Sequence, residues 1–135
     1  MTTFADRLAA EGVSLTREGV RIVQINLGYL CNQRCVHCHV AASPESRAVM
    51  DAATLERVIA RILGSRIMEV ELTGGAPEMN PGFREAVARL VAGGRRVTVR
   101  TNLTVWFEPG FETMPEFLAG AKVKIVASLP CYTKE

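Results

Sequence analysis

The stretch CNQRCVHC at 31–38 holds three of the chain's four cysteines at C-x3-C-x2-C spacing, with His37 inside it and His39 just beyond. Thiolates this close on one loop can wrap a soft metal centre, because the intervening residues let three sulfurs turn inward together. Three sulfur ligands leave one coordination position to be filled. In a four-iron cluster that is one iron free to take a further ligand; at zinc it is a water or a fourth side chain such as His37 or His39. Spacing alone leaves both open, and leaves unligated or disulfide-bonded thiols open as well. The remaining cysteine, Cys131, is distant in sequence and reads first as a small packed residue.

The rest of the composition narrows these choices. The 135 residues are 48% hydrophobic, enough for one domain with a real core. Sixteen basic and fourteen acidic side chains give a net charge of +2, spread without a dense Lys/Arg block or interleaved aromatics, so no nucleic-acid partner is expected. The opening MTTFADRLAAEG puts Asp6 and Arg7 where a secretory signal needs an unbroken apolar region. No apolar run exceeds three residues, so no membrane association is expected and the chain reads as cytoplasmic. Thiols stay reduced in that compartment, which favours metal binding or catalysis over a disulfide framework.

The elements that must position the thiols follow from periodicity. Residues 4–10 read as a short helix with Phe4 and Leu8 on one side. VRIVQINLG then alternates as a strand, Val23, Ile25 and Leu27 facing one way and Gln24 and Asn26 the other. Asp51 reads as the N-cap of a helix carrying Leu55, Val58, Ile59, Ile62 and Leu63, stopped by Gly64. A second strand sets Met68, Val70 and Leu72 opposite Glu69, Glu71 and Thr73. Asn80 is the expected cap of a second long helix with Phe83, Ala86, Val87, Leu90 and Val91 on its apolar stripe, stopped by Gly93 and Gly94. RVTVRTN makes a third strand, a short helix is expected near 114–119, and KVKIVASL a fourth strand.

Alternating strands and helices predict an α/β fold with about four parallel strands joined by right-handed crossovers. A chain that stops six residues after Leu129 with no covering helix reads as truncated after its fourth strand, because both faces of a parallel sheet are normally buried. Ligands in such folds bind at the carboxyl ends of strands, and the cysteine loop, TGGAPE, TNLT and SLPCY all leave those ends. Polar residues gather on one strand face: Gln24 and Asn26, Glu71 and Thr73, Arg100 and Asn102, then Ser128. If the sheet curves, that face is the lumen. Gln24 and Asn26 read as hydrogen-bonding lumen residues. Arg100 is open to two readings, an oxyanion contact or an ion pair with Glu71 across the strands. Trp106 and Phe107 are expected to pack.

The motif CNQRCVHC after a first strand resembles the C-x3-C-x2-C signature of the radical S-adenosylmethionine (SAM) superfamily, and TGGAPE after the second resembles its glycine-rich GGE loop. The wording of QINLGYLCNQRCVHCHV, LTGGAPEMNP, TNLTV and ASLPCY further resembles the arsenosugar-biosynthesis radical SAM proteins, which carry a cysteine-rich C-terminal domain. This resemblance implies the N-terminal part of a partial TIM-like (β/α)6 barrel, with 1–18 as a helical extension and 19–135 as the core. It implies that Cys31, Cys35 and Cys38 ligate a 4Fe-4S cluster whose fourth iron chelates S-adenosylmethionine. In such enzymes the reduced cluster passes an electron to the sulfonium, and a 5'-deoxyadenosyl radical is released. Gly74 and Gly75 would then meet the cofactor's amino end, where missing side chains permit close approach.

The same loop departs from the family pattern, with Ala76, Pro77 and Glu78 following the glycine pair, so no carboxylate stands at position 76. Glu78 is either a displaced cofactor contact or a solvated loop acid, the latter being the first expectation. Asn102 and Ser128 are the candidates for ribose and carboxylate contacts. The resemblance also implies a reductant such as flavodoxin or ferredoxin, and a methylated arsenical as the small-molecule substrate. A non-catalytic zinc module, or a radical SAM enzyme acting on a peptide or another small molecule, are the competing readings.

Overall fold

A computed structural model describes residues 2–16 and 19–128. Four strands form one sheet in the order β1-β2-β3-β4: β1 Ile22–Asn26, β2 Glu69–Thr73, β3 Arg96–Thr101 and β4 Lys124–Ala127. Every neighbouring pair is parallel, as the alternation of strands and helices predicts. The register aligns aliphatic rows across the sheet. Val23, Val70 and Val97 stand side by side, and so do Ile25, Leu72, Val99 and Ile125. Alternation with period two sends all of these to one face, which the helices cover.

Helix α1, Phe4–Ala10, has a full capping box between Thr3 and Asp6 but buries none of its residues. Helix α2, Ala52–Leu63, starts where Asp51 accepts from the Thr54 amide at 2.8 Å and ends at Gly64, as the sequence predicts. Leu55, Ile59 and Ile62 lie on its buried side. Helices α3, Phe83–Ala92, and α4, Met114–Gly120, add Phe83, Ala86, Val87, Leu90, Met114 and Leu118 to the same core.

Two local readings need correction. Asn80 does not cap α3, whose N-cap is Gly82 without a side-chain bond. It is buried instead, and its amide donates to the carbonyls of Leu27 and Met50, each at 3.0 Å, while its Oδ1 accepts from Gly82 N at 2.8 Å. Tying three backbone segments together satisfies groups that the fold buries, and this outweighs the local capping preference. Phe107 does not pack, being 87% exposed, because it ends a short 3-10 helix, Thr104–Phe107, whose inward positions are Val105 and Trp106. A second 3-10 turn, Pro77–Met79, follows the glycine pair. No helix among the described residues is long and apolar enough to cross a membrane.

Candidate functional site

The cysteine loop leaves β1 at the carboxyl end of the sheet and is pinned by backbone bonds before any ligand is considered. Cys31 N donates to Ser43 O at 3.2 Å, and Cys38 N donates to Cys35 O at 3.0 Å. The glycine loop after β2 then locks against it: Gly75 N donates to Gly28 O and Ala76 N to Leu30 O, both at 2.9 Å. This explains the glycine pair physically. Gly74 has φ +150°, and a Cβ there would come within 2.6 Å of Gly28 O. A Cβ on Gly75 would strike the Leu30 carbonyl and approach Cys31 Cβ at 3.0 Å.

Cys31, Cys35 and Cys38 line one cavity of about 530 Å³. Gly74, Gly75, Asn102 and Ser128 line it too, so the structure brings together most of the residues singled out from the sequence. His37, His39, Thr73, Arg100 and Thr101 share its wall, and Val40 and Ala42 supply apolar surface. Cys31 is buried, while Cys35 and Cys38 are partly exposed. Burial pushes the Cys31 thiol above its ordinary value, and the neighbouring Cys35 and Cys38 add to this; the Gln33 amide and the Asn102 side chain oppose it. Its sulfur accepts from Gln33 N at 3.5 Å and from Asn102 Nδ2 at 3.6 Å, and Cys38 Sγ accepts from Ala42 N at 3.4 Å.

Behind this wall lies a small apolar cluster of Cys31, Ala42, Ala76 and Val105, against which Cys38 and Trp106 pack. Glu78 corrects the expectation of a solvated acid: it is 3% exposed. Trp106 Nε1 donates to its Oε1 at 3.2 Å, and its Oε2 has no partner among the described residues. Burial pushes this carboxyl above its ordinary range; the Thr101 hydroxyl, the Glu78 backbone and the Trp106 indole pull the other way. Glu78 and Ala76 therefore sit in the packing behind the cavity, beside the Pro77–Met79 turn.

On the polar face, Arg100 pairs with Glu71, Nε to Oε2 at 3.0 Å, and Gln24 donates to the same oxygen at 3.1 Å. Of the two readings of Arg100, the ion pair is present. Arg100 also borders a second hollow of about 310 Å³ with Gln24, Asn26 and His39. Asn26 Oδ1 accepts from Gly28 N at 2.9 Å and so shapes the strand exit. Cys131 lies outside the described residues.

Sequence reasoning missed Asn32, whose side chain bridges the cysteine loop to the loop after β3. An Asn following a Cys gives no local hint of such a role, since its partners lie 70 or more residues away.

One zinc held by three thiolates needs sulfurs roughly 3.8 Å apart, given a Zn–S bond of about 2.3 Å. A four-iron cluster takes each thiolate on a different iron, so its sulfurs stand around a larger body. Here the three thiols line one cavity together with the glycine pair, and thiolates are the ligands an iron-sulfur cluster takes. This arrangement fits the cluster.

Comparison with known proteins agrees. The chain is 23% identical over 103 residues to the antilisterial bacteriocin subtilosin biosynthesis protein AlbA of Bacillus subtilis (strain 168), a match covering 76% of this chain and 22% of that protein. The chain thus spans about a fifth of the length of this curated relative. Residues 25–128, from the middle of β1 to the end of β4, match the radical SAM superfamily, and the chain belongs to that family.

Proposed function

We propose that this chain is the cofactor-binding portion of an enzyme that cleaves S-adenosylmethionine reductively. The observation that carries the reading is the convergence of Cys31, Cys35 and Cys38 with Gly74 and Gly75 on one cavity, within a segment that belongs to the superfamily. Each of the three cysteines would hold one iron of a 4Fe-4S cluster, whose chemistry when bound is to supply the electron that breaks the cofactor's sulfonium bond. Residues 19–135 act as the core in this reading, and 1–18 as an extension, in keeping with an α1 that buries nothing.

The chain's own residues bind, orient and shield. Gly74 and Gly75 present backbone without side chains to the cofactor's amino end. Ser128 and Asn102, just past the ends of β4 and β3, line the same cavity. Ala76, Pro77 and Glu78 support the glycine loop from behind, Glu78 as a buried acid held by Trp106. Val40 and Ala42 limit the water that reaches the reacting atoms. An external reductant such as flavodoxin or ferredoxin would deliver the electron.

For the substrate, the wording of TGGAPE and its neighbouring motifs supports a methylated arsenical that receives the 5'-deoxyadenosyl group. Neither the family match nor the similarity to AlbA adds support for arsenic. A peptide substrate is the second reading, favoured by the similarity to a bacteriocin biosynthesis protein.

The test is anaerobic reconstitution with iron and sulfide, followed by dithionite and S-adenosylmethionine, with 5'-deoxyadenosine as the measured product and Cys35→Ser as control. Product that depends on Cys35 supports the proposal. A folded, iron-loaded chain that leaves S-adenosylmethionine intact overturns it. Adding trimethylated arsenic or a precursor peptide to the active protein separates the two substrates.

A further inference from the structure

Of the three thiols on this loop, only Cys31 is buried, and among the described residues only its sulfur accepts from a side-chain amide N–H; Cys35 Sγ instead donates to the Gln33 amide oxygen at 3.7 Å. That amide belongs to Asn102, at the exit of β3, and its orientation is settled by a backbone group. Val105 N, a donor that cannot act as an acceptor, donates to Asn102 Oδ1 at 3.1 Å, and Thr104 Oγ1 donates to the same oxygen at 3.2 Å. The NH2 group must therefore face the cysteine loop. Its two hydrogens serve Asn32 Oδ1 at 2.8 Å and Cys31 Sγ at 3.6 Å.

Asn32 closes the arrangement into a ring. Its own amide donates to Thr104 Oγ1 at 2.9 Å and to Glu108 Oε1 at 3.2 Å. Every polar atom of the Asn102 side chain is thus engaged, so it cannot swing toward a ligand without breaking bonds to the 3-10 helix Thr104–Phe107. Leu103, which precedes that helix, sits at φ +63°, and this left-handed residue turns the chain so that Asn102 and Trp106 both point at the rim loops.

Resting on the function proposed above, we propose that Asn102 is a positioning residue for the metal centre: it aims an N–H at Cys31 Sγ and thereby raises the reduction potential of a cluster held by Cys31, Cys35 and Cys38. Adding an electron to an iron-sulfur centre increases the negative charge on its sulfurs, so a fixed donor at one sulfur stabilises the reduced form more than the oxidised one. Asn32 holds the donor in register.

The test measures the midpoint potential of the anaerobically reconstituted full chain, titrated with dithionite and followed by electron paramagnetic resonance, in wild type, Asn102→Asp and Asn102→Ala. Asn102→Asp keeps an oxygen for Val105 N but replaces the N–H with a carboxylate oxygen, and Asn102→Ala removes the donor without adding charge, so a fall shared by both variants reports the lost N–H rather than the added charge. We expect the reduction equilibrium of both variants to fall about tenfold, which for one electron is about 59 mV, at unchanged iron content. Equal potentials in wild type and Asn102→Asp, both fully loaded, overturn this inference and leave the proposed function standing. A wild-type chain that takes up no cluster overturns both.

A second measurement needs no metal. In the 15N-labelled metal-free chain, Cys31→Ser should shift the Asn102 side-chain amide resonances. Resonances that do not move would equally sink the inference, whatever the variants' ability to load iron.

Discussion

Trp106 Nε1 donates to Glu78 Oε1 across 3.2 Å, joining the loop after β3 to the loop after β2 in a place where neither side chain meets solvent freely. The bond satisfies the indole but only half of the carboxyl, since Glu78 Oε2 has no partner among the described residues. A buried, half-satisfied carboxyl favours its neutral form.

This fixes the sign of a pH effect. The folded value of Glu78 lies above the ordinary 4.5, so the folded chain binds its proton more tightly than the unfolded chain does. The stabilisation is complete below the ordinary value and is lost as pH rises through the raised one. Asp6 and Asp51 are shifted the opposite way by their capping bonds, and their contributions are lost on acidification. Subtracting the urea-unfolding profile of Glu78→Gln from that of wild type isolates the effect: the wild type should lose ground to the variant as pH rises from about 4.5. Parallel profiles would show that Glu78 is ionised in the folded chain.

Gly75→Ala should displace the cysteine loop, because the new methyl meets the Leu30 carbonyl and Cys31 Cβ, both of them fixed by the pairing of the two loops. Overpacking of this kind costs about 1–3 kcal/mol. Thermal unfolding reads the cost, and iron bound per chain after reconstitution should fall with it. A variant that unfolds at the wild-type temperature and loads fully would mean that the loops are free to separate.

Asn80→Ala should be costlier than its position in a loop suggests. It leaves the Met50 carbonyl and the Gly82 amide without their partner and the Leu27 carbonyl with Met50 N alone, at about 1–3 kcal/mol for an unsatisfied buried group. The urea midpoint should drop while the slope stays the same, since the compactness of the fold is unaffected.

Arg100→Gln should be nearly silent in stability. The Arg100 side chain is 43% exposed and Glu71 22% exposed, and ion pairs this open to water contribute less than about 1 kcal/mol. A larger loss in denaturation would reveal that the Gln24–Glu71–Arg100 row acts as a structural unit.

The parts of this fold that could be read from the sequence are those set by local periodicity. Val23 and Ile25, Val70 and Leu72, and Val97 and Val99 alternate with polar residues, and the period of two alone assigned them to the helix-covered face. Asp51 and Gly64 bounded α2 for equally local reasons. The cysteines were legible as a site because three soft ligands on one loop have few other uses. Glu78, Asn80 and Asn32 were not legible, since each owes its role to partners between 28 and 76 residues away. A glutamate after a Gly-Gly turn is solvated unless something distant covers it, and here Trp106 does.

The register of the sheet also bears on how the chain assembles. Ile22 pairs with Glu69, Glu69 with Arg96, and Thr98 with Lys124, so the connection from β1 to β2 is much longer than the two that follow. Closing the longer loop costs more chain entropy, and among the described residues β1, like β4, has a strand on one side only. The β2–β3–β4 unit can therefore form as soon as its residues leave the ribosome, with β1 docking afterwards. If β1 closes last, the thiols that follow it travel on the last-closing segment, and iron would meet a cysteine loop that is still open. Amide hydrogen exchange should report the same order, fastest in β1 and slowest in β2 and β3.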